Sequence, residues 1–110
     1  MKHYRLEDLP EIAVSHALDI KKRIFAKDIS CVEKISHAVL LPGDTARPHA
    51  HEDGYEIFYC AGGEAVFGIN AEDVRLRGGD CLIVEPGDLH EIKLVSKKTG
   101  LFYFFVKAPE

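Results

Sequence analysis

The sequence predicts an all-β protein with a single core, and three observations support this prediction. Short apolar runs alternate with turns that contain glycine or proline from residue 31 to residue 106. No segment in that range has a convincing helical period. The chain has 110 residues, which suffices for one domain and is too short for two cores. An antiparallel sheet of about eight strands must bury one face, so we expect a sandwich or a barrel.

The first residues are the least regular part of the pattern. Residues 1–19 are interpreted as a lead-in with a turn at residues 8–10, where Asp and Pro suit a first helical turn. Apolar side chains between residues 13 and 24 would fit one face of a helix, whereas residues 20–26 alone fit a strand. We choose the strand and place the barrel domain at residues 20–110.

The strands become clear after Cys31. Residues 32–41 are rich in β-forming side chains and end at Pro42-Gly43-Asp44, which is a turn signature. Residues 55–61 and 64–70 flank Gly62-Gly63, which predicts a β-hairpin at these two glycines. The later strands are predicted at residues 73–77, 81–84, 90–95 and 101–106, with residues 96–100 as a polar loop.

Composition excludes several functional classes. The net charge is -4 and the longest basic run is only Lys21-Lys22-Arg23, so a nucleic-acid-binding surface is not expected. No apolar run is long enough to span a membrane, and the start MKHYRLEDLP lacks the apolar core of a signal peptide, so we expect a cytoplasmic location. The three cysteines form no CxxC pair and are expected to be buried free thiols.

Two histidines and a glutamate in residues 43–63 have the spacing of metal ligands. His49 and His51 are two residues apart, so on an extended strand both imidazoles point the same way from Cα atoms about 6.6 Å apart. Rings that converge from this base can both bind one ion with bonds near 2.1 Å. Glu56 would face the same way only if the strand breaks at residues 52–54. His90 is a fourth candidate ligand from a distant strand.

Apolar side chains are expected around this cluster. If Glu56 points inward, Phe58 and Cys60 do as well, and Phe67 faces inward from the next run. A carboxylate in such a wall needs a cation or a proton. The other histidines, His3 and His16, are interpreted as surface or hydrogen-bonded side chains.

These residues match a family pattern, and the chain resembles the small single-domain members of the cupin superfamily. The first cupin motif is matched by Gly43, His49, His51, Glu56 and Gly63. The second is matched by Gly79, Pro86, Gly87 and His90, although the pattern usually has one residue between this proline and glycine. The resemblance implies a jelly-roll barrel, also called a double-stranded β-helix. It also implies one divalent metal ion on His49, His51, Glu56 and His90, and frequent homodimers.

The identity of the metal stays open. Three nitrogens and one oxygen suit Fe(II), Mn(II), Ni(II), Co(II) or Zn(II). A six-coordinate ion would keep two positions for water or substrate, which is the chemical argument for an enzyme. Candidate substrate-binding residues are Arg47, His37, Phe58 and Phe67. Arg47 can also be an ordinary rim residue, and His37 can be packed in the wall.

The first functional hypothesis is a metal-dependent enzyme that acts on a small oxygenated molecule. In a reaction of the isomerase, dioxygenase or decarboxylase type, the metal would polarise a carbonyl or enolate oxygen or bind O2 in an apolar pocket. No catalytic residue is assigned. The alternative is a non-catalytic binding or sensor module that holds a small-molecule ligand in the same pocket. A structural protein with a vestigial pocket is the third reading.

Overall fold

The computed structural model describes residues 1–109, except for the side chains of residues 18 and 28, and it confirms an all-β fold. One 3-10 turn, Leu6–Asp8, precedes eight strands. Their bounds are β1 Ile12–Val14, β2 Ala17–Ile29, β3 Val32–Leu40, β4 Ala46–His49, β5 Gly54–Ile69, β6 Glu72–Arg77, β7 Cys81–Val84 and β8 His90–Lys107.

All eight strands belong to one antiparallel sheet that curves into a jelly-roll barrel. The sheet order is β1-β2-β3-β8-β5-β6, with β4 paired to β8 and β7 paired to β5. Strands β5 and β8 pair with each other along most of their length, and each uses its two halves to bind different partners. The two long strands therefore form the frame on which the shorter strands are placed.

The predicted hairpin at Gly62-Gly63 is wrong, and so is the predicted loop at residues 96–100. Both stretches belong to long strands, and Gly62 pairs with Gly100 where the register shifts. Gly63 has a φ of +97°, and a Cβ there would collide with the backbone of Thr99. The two glycines thus form bulges that bend a continuous strand instead of reversing it.

The hairpin that does follow β5 lies at Asn70-Ala71. Both residues have positive φ angles, 49° and 69°, as a two-residue hairpin turn requires. The side chain of Asn70 also donates to Asp88 Oδ1 at 2.9 Å and accepts from the Leu89 N–H at 2.8 Å. This turn is therefore tied to the segment that leads into β8.

The strand predicted at residues 20–26 is confirmed, and it is longer than expected. Strand β2 starts at Ala17 and forms a hairpin with β1, in which Val14 pairs with Ala17 and residues 15–16 make the tip. The division into residues 1–19 and 20–110 stays a prediction, and β1 lies on the lead-in side of it. The three cysteines are free, as expected, but only Cys60 is buried, while Cys31 and Cys81 are exposed.

The core lies between the two layers of the barrel and is formed by alternate residues of each strand. On β3 the buried residues are Ser36, Ala38 and Leu40. On β5 and β8 they include Phe58, Cys60, Ala65, Phe67, Val95 and Leu101. The inner face of the sheet is mainly apolar, and ionisable side chains gather at the end where β4, β5 and β8 meet.

Candidate metal centre

The four predicted ligands lie together at one end of the barrel. His49 on β4 pairs with His90 on β8, and Glu56 lies near the start of β5. One ligand atom from each of His49, His51, Glu56 and His90 lies within 4.8 Å of the others. The strand break expected between His51 and Glu56 is present, because β4 ends at His49 and β5 begins at Gly54.

Glycine is required at the start of β5. A Cβ on Gly54 would lie 2.7 Å from the Phe105 ring, so any other residue would push β5 away from β8. Phe105 in turn packs against the edge of the His51 ring, with centroids 5.2 Å apart. The close approach of Gly54 to β8 therefore helps to position His51 as well as Glu56.

The ring orientation of two histidines is fixed by backbone carbonyls. His49 Nδ1 lies 3.0 Å from the Arg47 carbonyl oxygen, and His90 Nδ1 lies 3.2 Å from that of Asp88. A carbonyl only accepts, so both Nδ1 atoms carry the proton and donate it. Each Nε2 is then directed into the cluster, which is the arrangement that orients metal-bound histidines in proteins.

The Nε2 atom of His49 tests whether the cluster fits a metal ion. It is buried and has no hydrogen-bond partner among the described residues. With Nδ1 protonated, this nitrogen presents a lone pair to the other three ligand atoms. A buried acceptor without a partner is costly, and a divalent ion among three nitrogens and one carboxylate oxygen would satisfy it. The residues present therefore fit a metal.

Glu56 and His90 are in hydrogen-bond contact. Their Oε1 and Nε2 atoms are 3.1 Å apart, and His90 is only 2% exposed. Burial lowers the pKa of His90, but the hydrogen bond to Glu56 and the Asp88 carbonyl outweigh it and raise the pKa overall. Burial raises the pKa of Glu56, and the contacts with His90 and the other histidines reverse this and lower it. The Glu56 carboxylate thus stabilises the protonated form of His90.

The two sequence motifs are joined by the turn that precedes His90. The Gly87 N–H donates to the carbonyl of His51 at 2.8 Å, and Asp88 Oδ2 accepts from the Glu85 N–H at 2.9 Å. Gly87 has a φ of 87°, which suits glycine at this position of the turn. The adjacent Pro86 and Gly87 therefore form a turn that holds both motifs together.

A cavity of about 250 Å³ leads to the cluster from inside the barrel. Phe58 and Phe67 line it, as the sequence predicted, and their rings pack edge to face with centroids 5.2 Å apart. Tyr103 also lines it and stacks on Phe58 at 5.7 Å. This volume lies just below the range of ligand sites, which commonly starts near about 300 Å³.

The structure does not bring Arg47 and His37 to this cavity. Between the pairs Ala46–Ile92 and His49–His90, β4 has one residue more than β8. This bulge turns both Ala46 and His49 inward and leaves Arg47 exposed, so Arg47 contributes its carbonyl and not its guanidinium. His37 faces outward, because the buried face of β3 consists of even-numbered residues, and its ring packs on Phe102 at 4.6 Å.

The cavity also contains residues that the sequence did not assign to it. His16, at the tip of the β1–β2 hairpin, lies over His49 with ring centroids 3.8 Å apart. Burial, followed by the nearby His49, lowers the pKa of His16 to about 4, so its ring is neutral at pH 7. Lys22 and Lys34 line the cavity as well. His16 lies at a turn because Val14 pairs with Ala17 in a short hairpin. Recognising this hairpin in the sequence would have placed His16 there.

Fold and site together define a class of protein: a small jelly-roll barrel with a histidine and carboxylate cluster at one open end. The sequence profile of the cupin domain matches residues 36–106, which is more than half of the chain. The chain therefore belongs to the cupin family, as its two motifs predicted. Among residues 1–109, no helix has the length and apolar character needed to cross a bilayer.

Individual relatives agree with this assignment. The chain is 30% identical over 86 residues to an oxalate-binding protein of Thermotoga maritima, a match that covers 78% of this chain and 63% of that protein. The chain thus spans less than two thirds of the length of this relative.

Solved structures share the fold. A predicted oxalate decarboxylase from Thermotoga maritima has a TM-score of 0.84 at 20% identity, with 94% of this chain and 97% of that chain covered. An RmlC-like cupin from Shewanella frigidimarina has a TM-score of 0.79 at 18% identity, with 100% and 95% covered. At these identities the similarity supports the jelly-roll fold alone.

Proposed function

We propose that His49, His51, Glu56 and His90 bind one divalent metal ion and that the protein is a metal-dependent enzyme for a small oxygenated molecule. The observation that carries this proposal is the buried, unpartnered Nε2 of His49, directed at three other ligand atoms within 4.8 Å. The ion is Fe, Mn, Ni, Co or Zn, because all five accept this set of ligands. The relative named for oxalate binding supports a small acid as the ligand.

The surroundings of the cluster suit catalysis. The bound metal would supply a Lewis acid for a carbonyl or carboxylate oxygen, as isomerases, decarboxylases and dioxygenases of this kind require. Phe58 and Phe67 give the cavity next to Glu56 an apolar lining. Burial and then the charge of Glu56 raise the pKa of Tyr103, so its phenol stays protonated and can donate a hydrogen bond to a substrate oxygen.

Metal analysis of three variants tests the proposed site. Protein purified without chelators is expected to contain about one metal ion per chain, and His51→Ala and His90→Ala are expected to retain less than about a tenth of it. His37→Ala is the matched control, because His37 lies on the outer face of β3 and should leave the metal content unchanged. Equal metal content in the wild type and both ligand variants would refute the proposal.

The second candidate function is a binding or sensor protein that uses the same cavity without turnover. The similarity to the oxalate-binding protein of Thermotoga maritima favours it. The two functions are separated by loading the protein with metal, screening small organic acids by thermal shift, and then searching for products of the hits by mass spectrometry. Stabilisation by a ligand without any product would support the binder over the enzyme.

We also propose that the chain forms a homodimer through the outer face of the sheet. Cross-strand pairs align Ile83, Ile57, Phe104 and Ile35 in one row. The next row contains Tyr59 and Phe102. Such an apolar face is typical of an interface and is self-complementary about a two-fold axis.

Light scattering after size exclusion tests the proposed dimer. The wild type is expected to elute as a dimer, and Phe104→Asp as a monomer, because a carboxylate at the centre of an apolar interface would be desolvated. Leu94→Asp is the control, since Leu94 is an exposed apolar residue on the other half of β8. A monomeric wild type would contradict the proposal.

A further inference from the structure

Two lysines face the interior of the barrel beside the metal cluster. Lys34, Phe105 and Glu56 are aligned on β3, β8 and β5, and all three line the cavity. Lys22 enters the same cavity from β2, where it pairs with Ala38, whose side chain is buried. Neighbouring strands are about 4.8 Å apart, so the Cα atoms of Lys34 and Glu56 are separated by roughly 10 Å along the sheet.

Neither lysine has an anionic partner among the described residues. The ion pairs found among the described residues use other cations, and Glu56 pairs with His90. Glu33 and Asp53 also line the cavity, but neither carboxylate is within ion-pair distance of Lys22 or Lys34.

The lysines are close enough to affect one another. Burial lowers the pKa of Lys22, and the charge of Lys34 lowers it further, while Glu56 opposes both. Two half-buried ammonium groups of like charge are unfavourable unless an anion joins them. An anion that enters the cavity would therefore relieve both their desolvation and their repulsion.

The proposed metal site would attract anions into the same cavity. Three neutral imidazoles and one carboxylate leave a divalent ion with a net charge of about +1, so an acidic group of a ligand is a natural further partner. The cavity thus has two cationic groups, the metal site and the lysine pair, and apolar side chains such as Phe58 and Phe105 also line it. Only a ligand with two anionic groups would satisfy both.

We propose that Lys22 and Lys34 bind the second acidic group of the substrate, and that the site selects small diacids whose first acidic group lies on the metal. This inference rests on the metal site proposed above and narrows its substrate class. Tyr103 lines the same cavity from β8, between the positions of Phe105 and Leu101. A monoacid of equal length would leave both lysines without a partner.

Matched acids test the proposal on metal-loaded protein. Succinate and butyrate have four carbons each and differ only in whether the far end is a carboxylate, and malonate and propionate are the corresponding three-carbon pair. Calorimetry is expected to show at least one diacid binding about tenfold or more tightly than its matched monoacid, as charge-assisted hydrogen bonds imply. Metal content and the circular dichroism spectrum are recorded for every sample.

Variants assign the preference to the lysines. Lys22→Met and Lys34→Met keep the length of the side chain and remove its charge, and each is expected to reduce the preference for the diacid about threefold or more. The double variant should bind diacid and monoacid equally, whereas Lys22→Arg should retain the preference. Lys97→Met is the control, because Lys97 is exposed on β8 and does not line the cavity.

The outcomes separate this inference from the proposed function. Metal-loaded wild type without any preference for diacids would overturn the inference and leave the metal site intact. A preference that persists in the folded, metal-loaded double variant would also overturn it. A wild type that takes up no metal would overturn both proposals at once.

Discussion

The inner and outer faces of strands β3, β5 and β8 differ sharply although they belong to the same backbone. The inner face contains Glu56, Tyr103 and the cavity, whereas the outer face contains Ile57 and Phe104 in apolar rows. Successive side chains of a strand point to opposite faces, so adjacent residues in the sequence have unrelated surroundings. The difference teaches that assigning a residue to the wrong face of a strand changes its predicted role completely.

Two histidines show what the two faces do to the same chemical group. Burial lowers the pKa of His37 on the outer face, and the positive charge of Arg23 lowers it further. Burial also lowers the pKa of His90, but the inner face supplies the Glu56 carboxylate, and the net shift is upward. The partner and not the burial therefore decides which histidine holds a proton in the metal-free protein.

The largest expected difference between the faces is in stability. Phe67 is 1% exposed on the inner face, and Phe67→Ala should lower the free energy of unfolding by about 3–5 kcal/mol, because it leaves a cavity in the core. Phe104→Ala removes the same atoms from a half-buried position on the outer face and should cost less than about half as much. Denaturant unfolding of both variants gives the comparison.

The concentration of protein serves as the control for this measurement. If the outer face forms a dimer, the loss in Phe104→Ala should grow as the protein concentration rises, whereas that in Phe67→Ala should not. Equal losses in the two variants at low concentration would contradict the assignment of the faces.

A smaller effect is expected from pH on the affinity for the metal. Because the folded pKa of His90 is raised above 6.5, the protein retains this proton to a higher pH, and a metal ion must displace it. The affinity for Ni²⁺ should fall by up to about tenfold per unit as the pH drops below that raised pKa. Glu56 does not bind a proton in competition with the metal in this pH range, since its lowered pKa keeps it ionised above pH 4.5.

Competition with a chelator at several pH values measures this dependence. His37→Ala should give the same curve as the wild type, because the pKa of His37 is lowered and its ring lies on the outer face. A curve that is flat between pH 5 and pH 8 would show that His90 does not exchange a proton for the metal.

The sequence predicted the metal cluster more accurately than the path of the strands around it. His49, His51, Glu56 and His90 are recognisable because ligand type and spacing follow from the chemistry of coordination. Arg47 was a candidate for the cavity, but a single-residue bulge on β4, which the sequence does not reveal, leaves it exposed. The face of a strand depends on register, and register is set by pairing partners far along the chain.

The sequence prediction divided the long strands β5 and β8 into shorter ones for a related physical reason. Gly62-Gly63 has the composition of a turn, but the backbone of β8 packs against these glycines, and the strand bends without reversing. Residues 96–100 are polar, yet Thr99 is fully buried and donates to the Lys97 carbonyl at 2.7 Å. Composition alone does not distinguish a loop from a strand whose polar groups are satisfied by its neighbours.

His16 offers the finest test of the inner face, because its ring touches a proposed ligand and yet it is outside the four-residue cluster. If His16 only covers His49, His16→Ala should keep about one metal ion per chain and lower the affinity by no more than about 10- to 100-fold, the range for partners outside the coordination shell. Chelator competition measures this affinity, with His3→Ala as a control on an exposed histidine. A loss as large as that in His51→Ala would instead make His16 a fifth ligand, and the hairpin of β1 and β2 part of the metal site.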